Sequence, residues 1–427
     1  MLDHLSLPPE IQPISHIRIP EVVNYTSIQG IPVYEVRKKK SEIVLIELVF
    51  RAGRPYEAKK LAATACASLM RQGAGKYSSE VLSEEIDFLG ATLSTKASMD
   101  YISIKAVCMK KQFESLLEIL GTIINEPHYD QREFELYRER SISRLQLQLA
   151  KPDIKSYRAI TEAIYGHDHP YGYNSSEAYY NDLNIDHLKT HHERYIHSAN
   201  CHVFVAGDIE DDDHVMIDEL CSMIPVGRHR PMPTKELSQH NNRPVSMRLE
   251  GGTHQASIRI GRKAVTRMHE DFYGLNFLCN LLGGFQGSRL VSELREKRGL
   301  TYGIYSMLDV LAHDADMMIS TEVAREKVDE GLSTIYDEME KLTQELVGPE
   351  EIRRVNNYIL GNYLNLFDGP FNSIRGIKSL VLADFPMNML DSLIESSVGF
   401  NAEYIRQMAE KYFKRNDFWE VIVGTPD

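Results

Sequence analysis

The sequence predicts an α+β fold built from two homologous halves, and three observations lead to that prediction. The chain has 427 residues, which is too long for one ordinary domain. Apolar residues make up 43% of it and charged residues 26%, so each half can form a core beneath a polar surface. Finally, one order of strand-like and helix-like segments occurs twice along the chain.

The first half follows an N-terminal arm, residues 1–20, which is proline-rich and irregular. Val33–Val36 and Ile43–Arg51 flank a polar turn and predict a β-hairpin. A helix of small residues over Leu61–Arg71 ends in a glycine turn. The remaining predicted elements are, in order, a helix over Ser79–Leu89, a strand with Ile102, Ile104, Ala106 and Cys108 on one face, an amphipathic helix over Phe113–Asn125, a charged helix over Gln131–Gln148, helices within 153–200, a central strand over His202–Ala206 and a helix over Asp212–Ile224.

A polar, proline-rich stretch without periodicity, residues 226–244, is the best candidate for a linker. After it the order of elements repeats, and LLEILGTIINEPHYDQREFELYRERSI in the first half matches GLSTIYDEMEKLTQELVGPEEIRRVNNYIL in the second. We therefore predict an internal duplication, with domains over residues 21–225 and 245–427. The elements predicted in the second half are strands over Ala256–Ile260, Thr301–Tyr305, Met317–Glu322 and Phe418–Val423, and helices over Phe272–Leu282, Ser288–Lys297, Lys327–Leu342, Pro349–Phe367 and within 370–412.

Charge and cysteine content narrow the function classes. The formal net charge of −13 argues against nucleic acid or an anionic membrane as the main partner. The five cysteines are scattered and never in a CxxC spacing, which favours a reducing compartment over a disulfide framework. No signal-peptide pattern and no apolar run long enough to span a membrane is visible, so we expect a cytoplasmic protein.

Three blocks of the sequence carry a resemblance to a known family. They are FRAGRPYEAKKLAATACASLMRQGAGKYSSEVLSEEIDFLGATLS, HHERYIHSANCHVFVAGDIE and LLGGFQGSRLVSELREKRGLTYGIYS. Together they resemble M16 peptidases, the insulinase-, pitrilysin- and mitochondrial-processing-peptidase-like family, in its shorter form with one pair of domains. The resemblance implies two domains, each a mostly antiparallel sheet covered by helices. The short glycine-rich loop of the third block looks closer to bacterial members.

The resemblance also implies where a zinc site would lie. The family's two zinc histidines fall on Ala63 and Ala67, its general-base glutamate on Cys66, and its third ligand near Arg144. Zinc requires imidazole, thiolate or carboxylate ligands, and the general base must activate a water. Alanine has no lone pair, and a guanidinium would repel the cation. We therefore expect a degenerate zinc site, no catalytic residue and no metal in this chain.

Two substitutes for that site can be considered. Cys66 could be a nucleophile, but no histidine is visibly placed to activate it, and a small buried side chain in an alanine-rich helix is the favoured interpretation. The group of His191, His192, Glu193 and His197 is dense enough for a metal. However, Tyr195 stands where an i, i+4 histidine partner would be needed, so a solvated helix end is favoured.

Arg295 and Tyr302 lie in the third block. The resemblance implies that they hold the substrate peptide near the scissile bond, since both side chains can donate hydrogen bonds to a carbonyl. The other interpretation is that Arg295 caps a surface helix and Tyr302 packs in a strand. The loop Gly283–Ser288 has neither pattern of a phosphate-binding loop, so it is interpreted as a tight connection between helices.

These observations lead to one function and two alternatives. The first is a proteolytically inactive M16 homologue that pairs with a zinc-bearing M16 subunit and helps to bind extended peptides, with zinc expected only in the partner. The second is a non-proteolytic scaffold or self-associating protein of the same fold. The third is a metallopeptidase with a relocated metal site. Fold alone does not decide among them.

Overall fold

The computed structural model describes residues 17, 19–228, 244–250, 254–386, 394 and 400–424. These residues form eleven strands, β1 (Val23–Thr26), β2 (Pro32–Arg37), β3 (Ile43–Phe50), β4 (Thr92–Ala97), β5 (Ile102–Met109), β6 (Cys201–Gly207), β7 (Ser246–Leu249), β8 (Gln255–Lys263), β9 (Ile304–Val310), β10 (Ala315–Ala324) and β11 (Trp419–Val423). No helix among them is both long and apolar enough to cross a membrane.

The described helices are α1 (Ala62–Leu69), α2 (Ser79–Phe88), α3 (Phe113–Asn125), α4 (Gln131–Leu149), α5 (Pro152–Tyr165), α6 (Glu177–Asn181), α7 (Ile185–Tyr195), α8 (Asp213–Met223), α9 (Phe272–Cys279), α10 (Val328–Gln344), α11 (Pro349–Leu366), α12 (Pro370–Leu382) and α13 (Ala402–Tyr412). Two π-helical stretches, Asn280–Gly284 and Val291–Lys297, follow α9. Within the first stretch the helix is interrupted at Gly283, where a Cβ would lie only 2.8 Å from the backbone nitrogen of Ser306.

The strands form two sheets with the same topology. The order is β1-β2-β6-β3-β5-β4 in the first sheet and β7-β11-β8-β10-β9 in the second. Apart from the extra edge strand β1, each strand of one sheet has an equivalent in the other. Among the described strands, the two parallel pairs, β2 with β6 and β7 with β11, are equivalent as well. The predicted α+β fold with two mostly antiparallel sheets covered by helices is therefore confirmed.

The predicted hairpin between Val33–Val36 and Ile43–Arg51 is wrong. Strand β6 lies between these two strands, parallel to β2 and antiparallel to β3. The sequence of β6, CHVFVAG, is almost completely buried and needs strand partners on both sides, which β2 and β3 provide. The central position predicted for His202–Ala206 is correct.

The two halves exchange a helix. Helix α5 of the first half packs on β8 and β11 of the second sheet, and α12 of the second half packs on β2 and β6 of the first sheet. Buried Ile160 and Ile164 of α5 belong to a cluster with Val421, while Ile374 and Ile377 of α12 belong to a cluster with Phe204. Each sheet is thus covered on one face by its own helices and on the other by a helix from the other half.

The arm and the linker lie mostly outside the described residues. Within the arm, Ile17 is buried in a cluster with Leu360 and Ile394 of the second half. Of the linker 226–244, residues 229–243 are not described. The domain boundaries at 225 and 245 stay predictions.

Candidate functional site

Helix α1 begins with an unusual backbone conformation that Glu57 stabilises. Leu61, just before the helix, has φ 73°, in the left-handed region that few residues other than glycine adopt. The carboxylate of Glu57 accepts hydrogen bonds from the backbone nitrogen of Leu61 at 3.2 Å and of Ala63 at 2.9 Å. A negative charge at this end also interacts favourably with the helix dipole. The sequence AATACASL then continues as a helix because small residues pack closely without loss of rotamer freedom.

Glu57 itself is enclosed by the loop Gly166–Tyr173. The Tyr173 hydroxyl donates to the Glu57 carboxylate at 2.6 Å, and the Arg54 guanidinium lies 4.4 Å from the centre of the Tyr173 ring. Removal of the carboxylate from water raises the pKa of Glu57 to about 7, although Tyr173 and the two backbone donors oppose that change. The loop Gly166–Tyr173 therefore stabilises the start of α1 through Glu57.

The α1 face that matches the family's zinc residues is completely buried. Ala63 is 1% exposed, and Cys66 and Ala67 are 0% exposed. The helix packs against α7 and β4, and its alanines allow these elements to approach closely. A catalytic metal site needs an open position for water and substrate. The described structure provides none on this face.

Cys66 begins a chain of three buried hydrogen bonds. The Cys66 sulfur lies 3.1 Å from the Tyr129 hydroxyl, which lies 2.8 Å from Nδ1 of His192, and Nε2 of His192 lies 2.9 Å from the Ile124 carbonyl oxygen. A carbonyl can only accept, so His192 donates through Nε2, Tyr129 donates to Nδ1, and the Cys66 thiol donates to Tyr129. Every member of this chain is neutral.

Burial keeps the chain neutral. It raises the pKa of the Cys66 thiol to about 12 and lowers that of His192 to about 4. A thiol with this pKa and no solvent exposure is not an accessible nucleophile. The sequence analysis missed the roles of Tyr129 and His192, because Tyr129 lies 63 residues after Cys66 and His192 lies another 63 residues after Tyr129.

The interpretation of His191 and His192 as a solvated helix end is wrong. Both are buried, as is His197, and Nε2 of His191 lies 2.9 Å from the carbonyl oxygen of Ala52. On α7 these two histidines share a face with Leu188 and Tyr195, at spacings of three and four residues. That spacing was the available signal, because Leu188 marks the face directed to the core.

The residues at the four family positions do not fit a zinc ion. Two are alanines, the third is the buried thiol that donates to Tyr129, and the fourth, Arg144, is an exposed side chain on α4 close to Tyr180. Within the described part of the chain, no group of three or more histidine, cysteine, aspartate or glutamate side chains could hold a metal. No catalytic step through zinc can be derived from these residues.

Arg295 and Tyr302 are both on the surface. Arg295 lies on the π-helical stretch Val291–Lys297, where its guanidinium donates to the Gln286 side chain at 3.1 Å. Tyr302 is 91% exposed and precedes β9. Its two neighbours are fixed, since the Thr301 hydroxyl donates to the Gly303 carbonyl at 2.9 Å and accepts from the Gly303 nitrogen at 3.1 Å. The backbone thus holds the Tyr302 ring in solvent.

Tyr302 lines a cavity of about 450 Å³ on the face of the second sheet. Tyr305 and Met307 of β9 line it too and are strongly exposed, whereas the intervening Ile304 and Ser306 are buried. This alternation is the signal by which the sequence could have identified them. Arg295 does not line this cavity, so the structure does not bring the two predicted substrate-binding residues together in one pocket.

Comparisons with known proteins agree with the topology. Residues 33–169 match the family model described as insulinase (peptidase family M16), and residues 182–358 match that of the peptidase M16 inactive domain. An uncharacterised zinc protease, YmxG of Bacillus subtilis, is 21% identical over 347 residues, which are 80% of this chain and 83% of that protein. The chain belongs to the M16 peptidase family.

Two solved structures share the fold. A peptidase M16 inactive domain from Pseudomonas fluorescens has a TM-score of 0.86 at 18% identity, over 95% of this chain and 98% of that one. A protease from Helicobacter pylori has a TM-score of 0.85 at 16% identity, over 95% and 100%. The family model described as the inactive domain matches residues 182–358, which do not include α1. Its description therefore carries no information on the degenerate zinc positions.

Proposed function

We propose that this chain is a proteolytically inactive M16 homologue that pairs with a zinc-bearing M16 subunit and helps to bind its peptide substrate. The observation that carries the proposal is the buried α1 face, where Ala63, Cys66 and Ala67 stand in place of the two zinc histidines and the general base. Metal-assisted hydrolysis requires a bound water and a base beside it. The five free, buried cysteines suit a reducing compartment, and we place the pairing in the cytoplasm.

Peptide binding is supported by the surface around β9. Among the described strands, β9 pairs only with β10, so its other edge has free backbone groups that an extended peptide could pair with. Tyr302, Tyr305 and Met307 offer apolar and hydrogen-bonding contacts beside this edge. The Arg295 guanidinium and the Tyr302 hydroxyl can both donate to peptide carbonyls, and in the partner's active site they would stabilise a developing oxyanion.

Reconstitution tests this proposal. The chain is co-purified with an HxxEH-containing homologue from the same genome, and cleavage of a fluorogenic peptide library is measured with the Arg295→Ala and Tyr302→Ala variants. We expect turnover only from the pair, and a loss of tenfold or more in kcat/KM in each variant. Arg353→Ala is the matched control, since Arg353 is an exposed arginine on α11. Unchanged turnover in both variants, or peptide cleavage by this chain alone, would contradict the proposal.

A second function is favoured by a different surface. Val81 and Phe88 of α2 lie on one helical face and are 42% and 83% exposed, which is unusual for side chains of this size. A scaffold that self-associates through this face would need no partner with zinc. Sedimentation and pull-down experiments separate the two functions: a stable homodimer without a zinc-bearing partner favours the scaffold, and stoichiometric tightly bound zinc in the purified chain would favour a relocated metal site.

A further inference from the structure

The two halves enclose a crevice of about 590 Å³, here called the interdomain crevice. Its first-half wall contains Arg51 and Asp100, and its second-half wall contains Arg267, Lys378 and Asp384. The turn after β9 joins this wall to the first half, because the backbone nitrogen of Ala312 donates to Asp100 at 2.9 Å. The crevice therefore lies at the interface between the two halves.

Most charges around the crevice are already paired. Arg51 pairs with Asp384 at 3.3 Å, and Lys378 pairs with the buried Glu47 at 2.7 Å. Asp100 accepts from both the Tyr171 hydroxyl and Ala312. Arg267 differs, since among the described residues it has neither a hydrogen bond nor an ion pair and is only partly exposed. A half-buried guanidinium without a partner is a binding position for an anion.

Arg267 also lines a second cavity that opens from the same place. This cavity has a volume of about 330 Å³, and its walls are mostly apolar, with Phe272, Leu308, Tyr363 and Phe385 among them. Its size is within the range of small-molecule sites. Ser379 lies at the junction, because it lines both the crevice and the apolar cavity. A ligand whose charge contacts Arg267 would thus place its remaining atoms among apolar side chains.

One carboxylate near the junction needs to be considered. Asp309 also lines the apolar cavity, and Arg267 acts to lower its pKa, although burial raises it overall. Asp309 nevertheless forms no ion pair with Arg267 within 4.0 Å among the described residues. It does not occupy the position of the missing anion.

The geometry points to a binding site for a small monocarboxylate with an apolar chain or ring, its carboxylate on Arg267 and its apolar part in the cavity of Phe272, Leu308 and Tyr363. Two sources share this chemistry, a fatty acid and the C-terminal residue of a peptide. The ligand would contact both halves, since Arg267 faces the crevice in which they meet. This site is separate from Tyr302 and does not depend on the proposed peptidase partner.

Titration calorimetry and thermal unfolding of the full chain test this site. The probes are octanoate for the fatty acid and N-acetyl-L-phenylalanine for the peptide terminus, with octan-1-ol and octylammonium as controls of the same chain length. We expect at least one carboxylate to bind and raise the Tm, and both controls to bind at least tenfold more weakly than octanoate. The carboxylate that binds more tightly shows whether the ligand is a fatty acid or the C-terminal residue of a peptide. Failure of both carboxylates to bind, or equal binding of octan-1-ol, overturns the assignment.

Two variants locate the site without disturbing the fold. Arg267→Gln removes a charge that forms neither a hydrogen bond nor an ion pair with a described residue, and Ser379→Phe fills the junction from an exposed position on α12. Each variant should lower the affinity for the carboxylate at least tenfold and leave the Tm of the free protein nearly unchanged. Arg353→Gln, at an exposed position near the start of α11, should bind as the wild type does. Wild-type affinity in both Arg267→Gln and Ser379→Phe would overturn the assignment.

Discussion

The hydroxyl of Tyr165 donates a hydrogen bond to Oδ2 of Asp316 across the boundary between the two halves, at 2.8 Å. Tyr165 ends α5 of the first half, and Asp316 lies in β10 of the second sheet, opposite Asp309 in β9. Burial, with the nearby Asp309 and Asp314, raises the pKa of Asp316 from 3.8 to about 7. Asp316 therefore keeps a proton in the folded protein where an unfolded chain would lose it.

We predict that the contribution of Asp316 to stability falls as pH rises from about 4 to 7, against the buried His192, whose lowered pKa of about 4 makes its own contribution rise with pH over the same range. The folded pKa of Asp316 lies above its unfolded value, so the contribution is complete below the unfolded pKa and is lost as pH passes the folded one. For one such group the slope is at most about 1.4 kcal/mol per pH unit. In the Asp316→Asn variant, which can still accept from Tyr165, the free energy of unfolding measured in urea should change with pH by a more positive slope than in the wild type over this range. The same slope in the variant and in the wild type would contradict the role of Asp316.

Restoration of the family's zinc residues should not restore a zinc site. The Ala63→His, Cys66→Glu, Ala67→His and Arg144→Glu variant introduces three large side chains where the structure has no exposed surface. Overpacking of this kind typically costs about 1–3 kcal/mol at each position, and a buried unpaired carboxylate adds to it. We expect loss of folding and no bound zinc, measured by urea unfolding and by metal analysis.

The exposed position provides the control for this experiment. Arg144→Glu alone should change stability by no more than about 0.5 kcal/mol, because the side chain is on the surface. Stoichiometric zinc in a folded quadruple variant would show that the α1 face can open, and the structural basis of the proposed inactivity would then be wrong.

The Tyr129 hydroxyl should contribute to stability because it connects Cys66 with His192. The Tyr129→Phe variant leaves Nδ1 of His192 buried without a donor, which costs about 1–3 kcal/mol. Tyr77→Phe is a suitable control, since the Tyr77 hydroxyl has no described hydrogen bond and its ring is only partly buried. Urea midpoints of the two variants measure the difference, and equal values would argue against the assigned hydrogen-bond chain.

Truncation to alanine should leave the unfolding free energy almost unchanged at Tyr302 but lower it at the nearby Ile304. Tyr302→Ala and Arg295→Ala remove exposed side chains and should keep the wild-type unfolding free energy within about 0.5 kcal/mol. Ile304→Ala empties a position that is 1% exposed and should cost about 2–5 kcal/mol. A stability loss in Tyr302→Ala comparable to that of Ile304→Ala would mean that Tyr302 has a structural role.

The elements that could be predicted from sequence are those whose hydrophobic periodicity is complete within the element itself. Helix α3 has the predicted bounds, Phe113–Asn125, because its apolar residues repeat at helical spacing over the whole length. Strand β4 was missed because its sequence, TLSTKA, is short and mostly polar. The hairpin prediction failed because sequence neighbours β2 and β3 are separated by β6, a strand about 150 residues later.

For the site, sequence comparison located the degenerate zinc positions but not their surroundings. The absence of ligands at Ala63 and Ala67 is visible in the sequence alone. The hydrogen-bonded chain from Cys66 and the capping of α1 by Glu57 depend on contacts between distant segments. The cavity beside Tyr302 also forms only when β9 and β10 pair, so no local pattern could indicate its volume.

The exchange of α5 and α12 between the halves has a consequence for the connecting segment. One face of each sheet is packed by a helix from the other half of the chain, through buried residues such as Ile160 and Ile377. Cleavage of the linker should therefore leave a nicked protein whose two fragments co-elute and unfold in one transition. Either fragment expressed alone would expose the sheet face that its missing helix covers, and would aggregate until the complementary fragment is added.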